Sequence, residues 1–461
     1  MNLKNIFKSQ KDFFYADTTI PINFRLIHLS KFKKALLENE NEIYKAMYKD
    51  LGKSKEDAFV SEFAPCIKEI DFFLKNLNLL SKPEKIKTSL SNFKSKGYIY
   101  KKPFGVCLIV STWNYPLLLS LVPMIGALAA GNTCILKLHP FSKHTNEIIN
   151  KILSSTFEQC YVKSIDGDKE VLDSLLEFNF DYMFATGSPN IGKYVYSKAA
   201  EKLIPVTLEL GGKNPCIVHN DANIKLACKR IVHGKFLNVG QTCLATDYIW
   251  VHHNIKDEFI KTLIETIEEM YTKDPLNCKY YSKIINELNF NRLTNIIDSL
   301  KDKIIFGGKY NKDSLKISPT IIDIDDLNSE LLEGEIFGPI LQIKSYEMVD
   351  DVIYSLKHTE PSLALYLFSE NKALINKCLE IPFGGGCVND TLLHVSEQGL
   401  PFGGFKNSGI GNYHGKHSFD TFTHKKSILM KSTQIEINSR YPNNKNYTLK
   451  KLKSIFKVKT Q

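Results

Sequence analysis

Three residues of reactive type stand in company that gives them chemical meaning. Cys243 closes the run Asn238-Val239-Gly240-Gln241-Thr242-Cys243, a glycine-bearing loop that presents a thiol between a helix and the next strand. A loop thiol is a nucleophile once deprotonated, whereas any one of ten cysteines taken alone is more often a small buried hydrophobe. Glu209 sits at a strand end in Leu208-Glu209-Leu210-Gly211-Gly212-Lys213. Apolar neighbours raise a carboxyl towards the range of a general base, and the glycines permit a tight turn. A strand-edge carboxylate in an ion pair is the plainer reading. Asn114, in Ser111-Thr112-Trp113-Asn114-Tyr115-Pro116, can offer a side-chain N–H to a developing oxyanion, although Asn before Tyr-Pro also makes an ordinary turn. A nucleophile, a base and an oxyanion donor are the parts that chemistry at a carbonyl carbon requires.

The elements that must position them can be read from periodicity. Leu26, Leu29, Phe32, Leu36 and Leu37, then Ile43 and Met47, recur every three or four residues, which predicts amphipathic helices at the start. From Gly105 short apolar runs alternate with helical segments: VCLIVS, a helix over 117–130, TCILKL, a helix from Ser142, YVKSID, a helix near 172–176, and DYMFAT. A second series follows, with NPCIVH, a helix from Asn223, DYIWVH and a helix over 259–271. This alternation predicts an α/β fold in which parallel sheets are covered by helices and ligands bind beyond the carboxyl ends of the strands. At one such end Gly187-Ser188-Pro189-Asn190-Ile191-Gly192 leads into a helix whose free N–H groups suit a pyrophosphate, without the strict Gly-x-Gly-x-x-Gly spacing.

Composition narrows the function class. A chain of 461 residues, 43% hydrophobic and 24% charged, fits a globular protein of two or three domains. The first residues lack a signal-peptide pattern and no apolar run is long enough to span a bilayer, which predicts a cytoplasmic protein. Ten cysteines without a Cys-x-x-Cys pair predict a reduced compartment and no structural zinc. His252 and His253, on a strand, are expected to point to opposite faces, so no metal is predicted. Nearly all of the formal charge of +10 lies in the tail, since ten Lys and Arg from Lys425 onwards face one acid, Glu436, and leave the body about neutral. The body is therefore no nucleic-acid surface. In the tail Leu449, Leu452, Ile455 and Phe456 recur among Lys450, Lys451, Lys453 and Lys457, which suits either a solvated end or weak contact with an anionic membrane.

Taken in order, WNYP, ALAAGN with Lys137, GSPNIG, LELGGK, GQTC, EIFGP and LPFGGFKNSGIG resemble the motif set of the aldehyde dehydrogenase superfamily over 103–422, and GGGCVND with LPFGGFKNSGIGNYHGKHSFDTFTHKKS is most similar to the class 3 branch. The resemblance implies a Rossmann-type cofactor domain (1–210, with a bridging strand near 95–104 and a return of the chain after about 390), an α/β catalytic domain (211–390), a back wall and bridging segment (391–435) and a basic tail (436–461). It implies that Cys243 is the nucleophile, that Asn114 and the Cys243 backbone N–H bind the oxyanion, and that Glu209 activates water. For NAD it assigns Lys137 to the adenosine ribose and Gly187, Ser188 and Gly192 to the pyrophosphate. Trp113 is also assigned to the cofactor, and Glu335 and Phe337 to the nicotinamide ribose. Glu333 is a second acid nearby, and Asn389 and Gly403-Gly404 are expected behind the site.

One departure is informative. The family's Pro-Ser-Glu after the ribose lysine is replaced by Leu138-His139-Pro140, which removes an acid that repels the NADP phosphate. Dual use of NAD and NADP is expected, with His139 or Lys143 as phosphate partners. The class 3 resemblance implies a homodimer and medium or long aliphatic or aromatic aldehydes. A CoA-acylating enzyme and a catalytically silent binding protein are the competing functions; Glu209, a base suited to hydrolysis, argues against the first, and the presence of Cys243, Glu209 and Asn114 together argues against the second.

Overall fold

The structure is a computed structural model that describes residues 2–89, 92–325, 334–436, 438, 441–445 and 447–455. Glu333, Phe456 and Lys457 lie outside the described residues.

Helices Ile22–Glu38 and Glu40–Leu51 bury Leu29, Phe32, Leu36, Ile43 and Met47 as the period predicts, while Leu37 turns to solvent. The first six-stranded sheet has the order Gly409–Ile410, Val206–Leu210, Tyr182–Gly187, Val106–Val110, Thr133–Leu138, Val162–Asp166. All neighbours are parallel except Gly409–Ile410, which pairs antiparallel with Leu208 and Glu209. The runs read as continuous apolar stretches because helices cover both faces, and every residue of Val106–Val110 is buried. Strand order reverses at Val106–Val110, so the crevice beyond its carboxyl end receives the Ser111–Pro116 loop from one strand and the Gly187-Ser188 turn from another.

The second sheet has seven strands in the order Ile304–Phe306, Thr320–Asp323, Ile340–Tyr346, Tyr248–His252, Pro215–Val218, Ala364–Phe368, Gly385–Val388, parallel apart from the first pair. One continuous apolar core joins the amino-terminal helices to both sheets. A third sheet, antiparallel, sets Ser95–Pro103 between Glu84–Ile86 and the long edge strand Thr423–Lys431.

The expectation for His252 and His253 is corrected. The strand ends at His252 and the chain enters a tight helical turn at His253, so the rings do not alternate but stack, 4.7 Å between centroids. Among the described residues no group of three or more His, Cys, Asp or Glu is arranged to hold a metal, and no helix is long and apolar enough to cross a membrane. The tail forms a short helix, Leu449–Ile455, with Leu449 exposed.

Candidate active site

The nucleophile loop is set by backbone that few sequences adopt. Asn238, Val239 and Gly240 have φ of 51°, 49° and 74°, a left-handed run that costs a β-branched valine free energy and persists only where the surroundings impose it. Those surroundings are specific. A Cβ on Gly240 would lie 2.2 Å from the Gly338 carbonyl oxygen, so only glycine lets this loop pack on the EIFGP turn. Asn238 Nδ2 donates to the Asn114 carbonyl (2.8 Å), and Asn114 Nδ2 donates to the Gln241 carbonyl (3.1 Å). The Tyr115 hydroxyl bonds that of Thr242 at 2.6 Å.

Asn214, fully buried, completes the frame. Its Nδ2 donates to the carbonyls of Cys243 (2.7 Å) and Ala245 (3.1 Å), and its Oδ1 accepts the Ala364 N–H (2.8 Å). Tyr366 holds the next carbonyl, donating to Leu244 O at 2.8 Å. Cys243 is half-buried, and burial, then the charges of Glu335 and Glu209, push its thiol up to about 12. Asn114 uses one amide hydrogen on Gln241, which leaves the other for an oxygen beside Cys243.

Glu209 is 3% exposed and neither carboxyl oxygen has a hydrogen-bond partner among the described residues, and burial holds it well above the ordinary carboxylate range. The ion-paired alternative is therefore excluded. The two glycines that follow make room rather than a turn, because neither has positive φ. A Cβ on Gly211 would lie 2.1 Å from Glu335 Oε2, and one on Gly212 would lie 2.8 Å from the Leu363 nitrogen. Glu335 accepts the Gly212 N–H and faces Asp247, Lys235 and Arg292; burial and Asp247 raise its carboxyl. Its turn is clamped by Asp247, which accepts the Ile336 N–H at 2.9 Å, and by Arg292, which donates to the Ile336 carbonyl at 2.8 Å. Phe337, at φ 47°, sets its ring edge-on to Trp113 at 5.4 Å.

Lys137, one residue from the end of its strand, is buried, its ammonium has no hydrogen-bond or ion-pair partner among the described residues, and burial lowers that ammonium's pKa. Ser188 caps the helix Pro189–Ala200 through the Ile191 N–H, and Thr186 Oγ1 beside it is unpartnered. An orphan ammonium on one side of the strand Val106–Val110, and an unpartnered hydroxyl and a helix start on the other, fit a dinucleotide lying across the carboxyl ends of these three strands. Gly192 faces the sheet, where a Cβ would meet Leu210 at 2.5 Å, so it permits close helix–strand packing. Gly403-Gly404 packs on 408–411 behind Glu209, while Asn389 is held by Ser369 and Glu370 beside the strand Ala364–Phe368.

Several contributors escape sequence reading. Asn214, Asp247 and Tyr366 carry no motif signal for these contacts, and buried Tyr413 has its phenol within reach of the charges of Glu209 and Cys243.

Residues 3–428 match the profile of the aldehyde dehydrogenase family. The chain is 42% identical over 452 residues to the 4,4'-diaponeurosporen-aldehyde dehydrogenase of Staphylococcus aureus, covering 98% of each. It is 37% identical to the mouse dimeric NADP-preferring aldehyde dehydrogenase, over 96% of this chain and 98% of that one. The substrate-bound structure of Staphylococcus aureus AldH superposes with a TM-score of 0.96 at 42% identity, over 99% of this chain and all of that one. A loop thiol framed by Asn114 and Asn214, a partnerless buried acid, and this extent of likeness lead to one assignment: the chain is a member of the aldehyde dehydrogenase family, enzymes that oxidise an aldehyde to its acid with a nicotinamide cofactor.

Proposed function

We propose that Cys243, Glu209 and Asn114 carry the oxidation, and that the substrate is an apolar aldehyde of medium or long chain, or an aromatic one. The observation that supports this most is Glu209, a carboxyl buried without any partner beside the thiol. A group kept that way has a function other than stability, because an unsatisfied buried acid is costly. The Cys243 sulfur adds to the aldehyde carbon, and the oxygen that gains charge takes hydrogen bonds from Asn114 Nδ2 and the Cys243 N–H. Each such donor is worth roughly 3 kcal/mol in the transition state. A nicotinamide held beside Glu335 would supply the hydride acceptor that conversion of the thiohemiacetal to a thioester requires. Glu209 then removes a proton from water as it attacks the thioester, which releases the acid and restores the thiol.

In this reading residues 1–210 form the cofactor domain, 211–390 the catalytic domain and 391–435 the back wall and bridge. Lys137 holds the adenosine ribose, Gly187, Ser188 and Gly192 the pyrophosphate turn, and Glu335 the nicotinamide ribose, with Trp113 and Phe337 as an aromatic wall. Both NAD and NADP are used. His139 is pushed down to about 4 by burial and then by Lys137, so it is uncharged at neutral pH, and attraction of a 2′-phosphate falls to exposed Lys143. A cytoplasmic homodimer is proposed, given that the mouse relative is named dimeric, with weak membrane contact through the basic tail. The name of the Staphylococcus aureus relative favours long apolar substrates.

The test is reduction of NAD and NADP with aldehydes from acetaldehyde to hexadecanal and benzaldehyde, without CoA, for wild type and Cys243→Ala. Free acid, efficiency rising with chain length and loss in the variant support the reading. A requirement for CoA points to the acylating alternative, and turnover by Cys243→Ala refutes the covalent route.

A further inference from the structure

Two buried carboxylates on one helical segment are not used by this mechanism. From Lys55–Ala58 the chain passes through the wide turn Phe59–Phe63 into the helix Ala64–Leu80, and it directs Glu62 and Glu69 inward, 0% and 2% exposed. Widened turns within helices recur at functional sites. Glu62 Oε2 accepts the N–H groups of Leu117 (2.9 Å) and Leu118 (3.2 Å), directly after Asn114-Tyr115-Pro116. Its Oε1 accepts Lys53 Nζ at 2.6 Å, and that ammonium lies 3.9 Å from the centre of the Tyr115 ring.

Glu69 does the equivalent for the segment around His414 and Gly415. Its Oε1 accepts the Gly415 N–H (2.8 Å) and the Ser418 hydroxyl (3.3 Å), and Oε2 accepts Gln398 Nε2 (3.4 Å). Ser418 Oγ in turn accepts the His414 N–H at 2.8 Å. His414 and Gly415 have φ of 82° and 53°, and a Cβ on Gly415 would lie 2.7 Å from the Gln398 carbonyl oxygen. This pair, in which His414 is strained, follows buried Tyr413, whose ring packs edge-on against Phe184 of the central sheet at 5.0 Å and whose phenol lies within range of the charges of Glu209 and Cys243.

We propose that this segment is a two-pronged bracket for the aldehyde pocket, in which Glu62 sets Asn114 through the start of the helix Leu118–Ala130 and Glu69 sets Tyr413 through the His414-Gly415 turn. Both are positioning residues. The proposal rests on the reading of Cys243, Glu209 and Asn114 as the reacting constellation. What matters is the place of an acceptor oxygen, since each prong receives backbone N–H groups. No bond of either prong reaches the loops of Lys137, Ser188 or Glu335 among the described residues.

The experiment is steady-state kinetics with octanal, and titration of cofactor binding, on the full chain bearing Glu69→Gln, Glu69→Asp or Glu69→Ala. Gln keeps an oxygen at the same reach without charge; Asp keeps charge and withdraws it by one methylene. The bracket predicts Glu69→Gln within about threefold of wild-type kcat/KM and Glu69→Asp and Glu69→Ala down about tenfold or more, with cofactor Kd within about twofold throughout. The pair Lys53→Met/Glu62→Gln, which strands no ammonium, is expected to outperform Lys53→Met/Glu62→Leu by a similar factor. If Glu69→Ala does not fold, the order of Gln and Asp still decides. Asp above Gln overturns the proposal, as does Glu69→Ala at wild-type activity or an equal loss of cofactor affinity. Turnover by Cys243→Ala would instead remove the underlying reading, whatever that order.

Discussion

Around Cys243, the side chains of Asn114, Asn214, Asn238 and Asp247 each bond a backbone group far away in sequence, and Asp247 also accepts from the side chains of Lys213 (2.8 Å) and Gln342 (3.4 Å). At the end proposed for the ribose the bonds span less sequence and include long ones: Asn146 Nδ2 to the His139 carbonyl at 2.8 Å, Phe141 N to His139 Nδ1 at 3.3 Å and Ile191 N to Ser188 Oγ at 3.5 Å, while the Lys137 ammonium has no partner among the described residues. The first end is a frame whose geometry is shared among both sheets, so a change there displaces reacting atoms. The second is a set of independent groups around open space, where substitutions tune affinity without moving the nucleophile.

The comparison is sharpened first by its largest effect. Cys243→Ala is expected to lower kcat about 10⁴-fold or more in a steady-state assay while cofactor binding persists. Asn114→Ala, which removes a donor aimed at the oxyanion, is expected to lower kcat/KM about 10²- to 10³-fold. Asn214→Ala leaves the carbonyls of Cys243 and Ala245 and the Ala364 N–H without their partner, so a loss of about 1–3 kcal/mol in denaturant unfolding should accompany a fall in kcat. At the ribose end Lys143→Ala should weaken NADP by less than about tenfold and leave NAD within about twofold, read from paired kcat/KM values. An equal effect on both cofactors would break the proposed independence of that end.

The pH dependence follows from two raised groups. Burial and the Glu335 and Glu209 charges push the Cys243 thiol up to about 12, so thiolate is scarce in the free enzyme at neutral pH. Its alkylation rate should climb steadily from about pH 7 to 10, without a plateau near the ordinary thiol value of about 8.5. Glu209 acts as a base only when ionised, and burial raises it. Where deacylation limits turnover, kcat should rise with pH through a value above the ordinary carboxylate range and fall on the acid side of it.

The strands and helices around the site were legible because each is a local pattern: VCLIV, TCILKL and the helix starts at Ser142 and Asn223 fall within a residue of their observed bounds. Cys243, Glu209 and Asn114 were legible as residue types in motifs. What remained hidden depends on partners remote in sequence. Gly211 reads as a turn residue until Glu335 is found in the space its side chain would fill. Asn214 reads as an ordinary loop amide until the carbonyls of Cys243 and Ala245 arrive beside it. His252 and His253 misled because the strand ends between them, and the turn at Phe59–Phe63 shifts the helical register without a residue that announces it.

The most direct test of the central claim is a single-turnover measurement on Glu209→Gln with octanal and NAD, following reduced cofactor and free acid together. The account predicts a burst approaching one equivalent of reduced cofactor per subunit, then a rate of acid release lowered about 10²- to 10⁴-fold, because the thioester on Cys243 forms but water is not activated. Steady acid release at the wild-type rate, or loss of the burst with folding and cofactor binding intact, would contradict it.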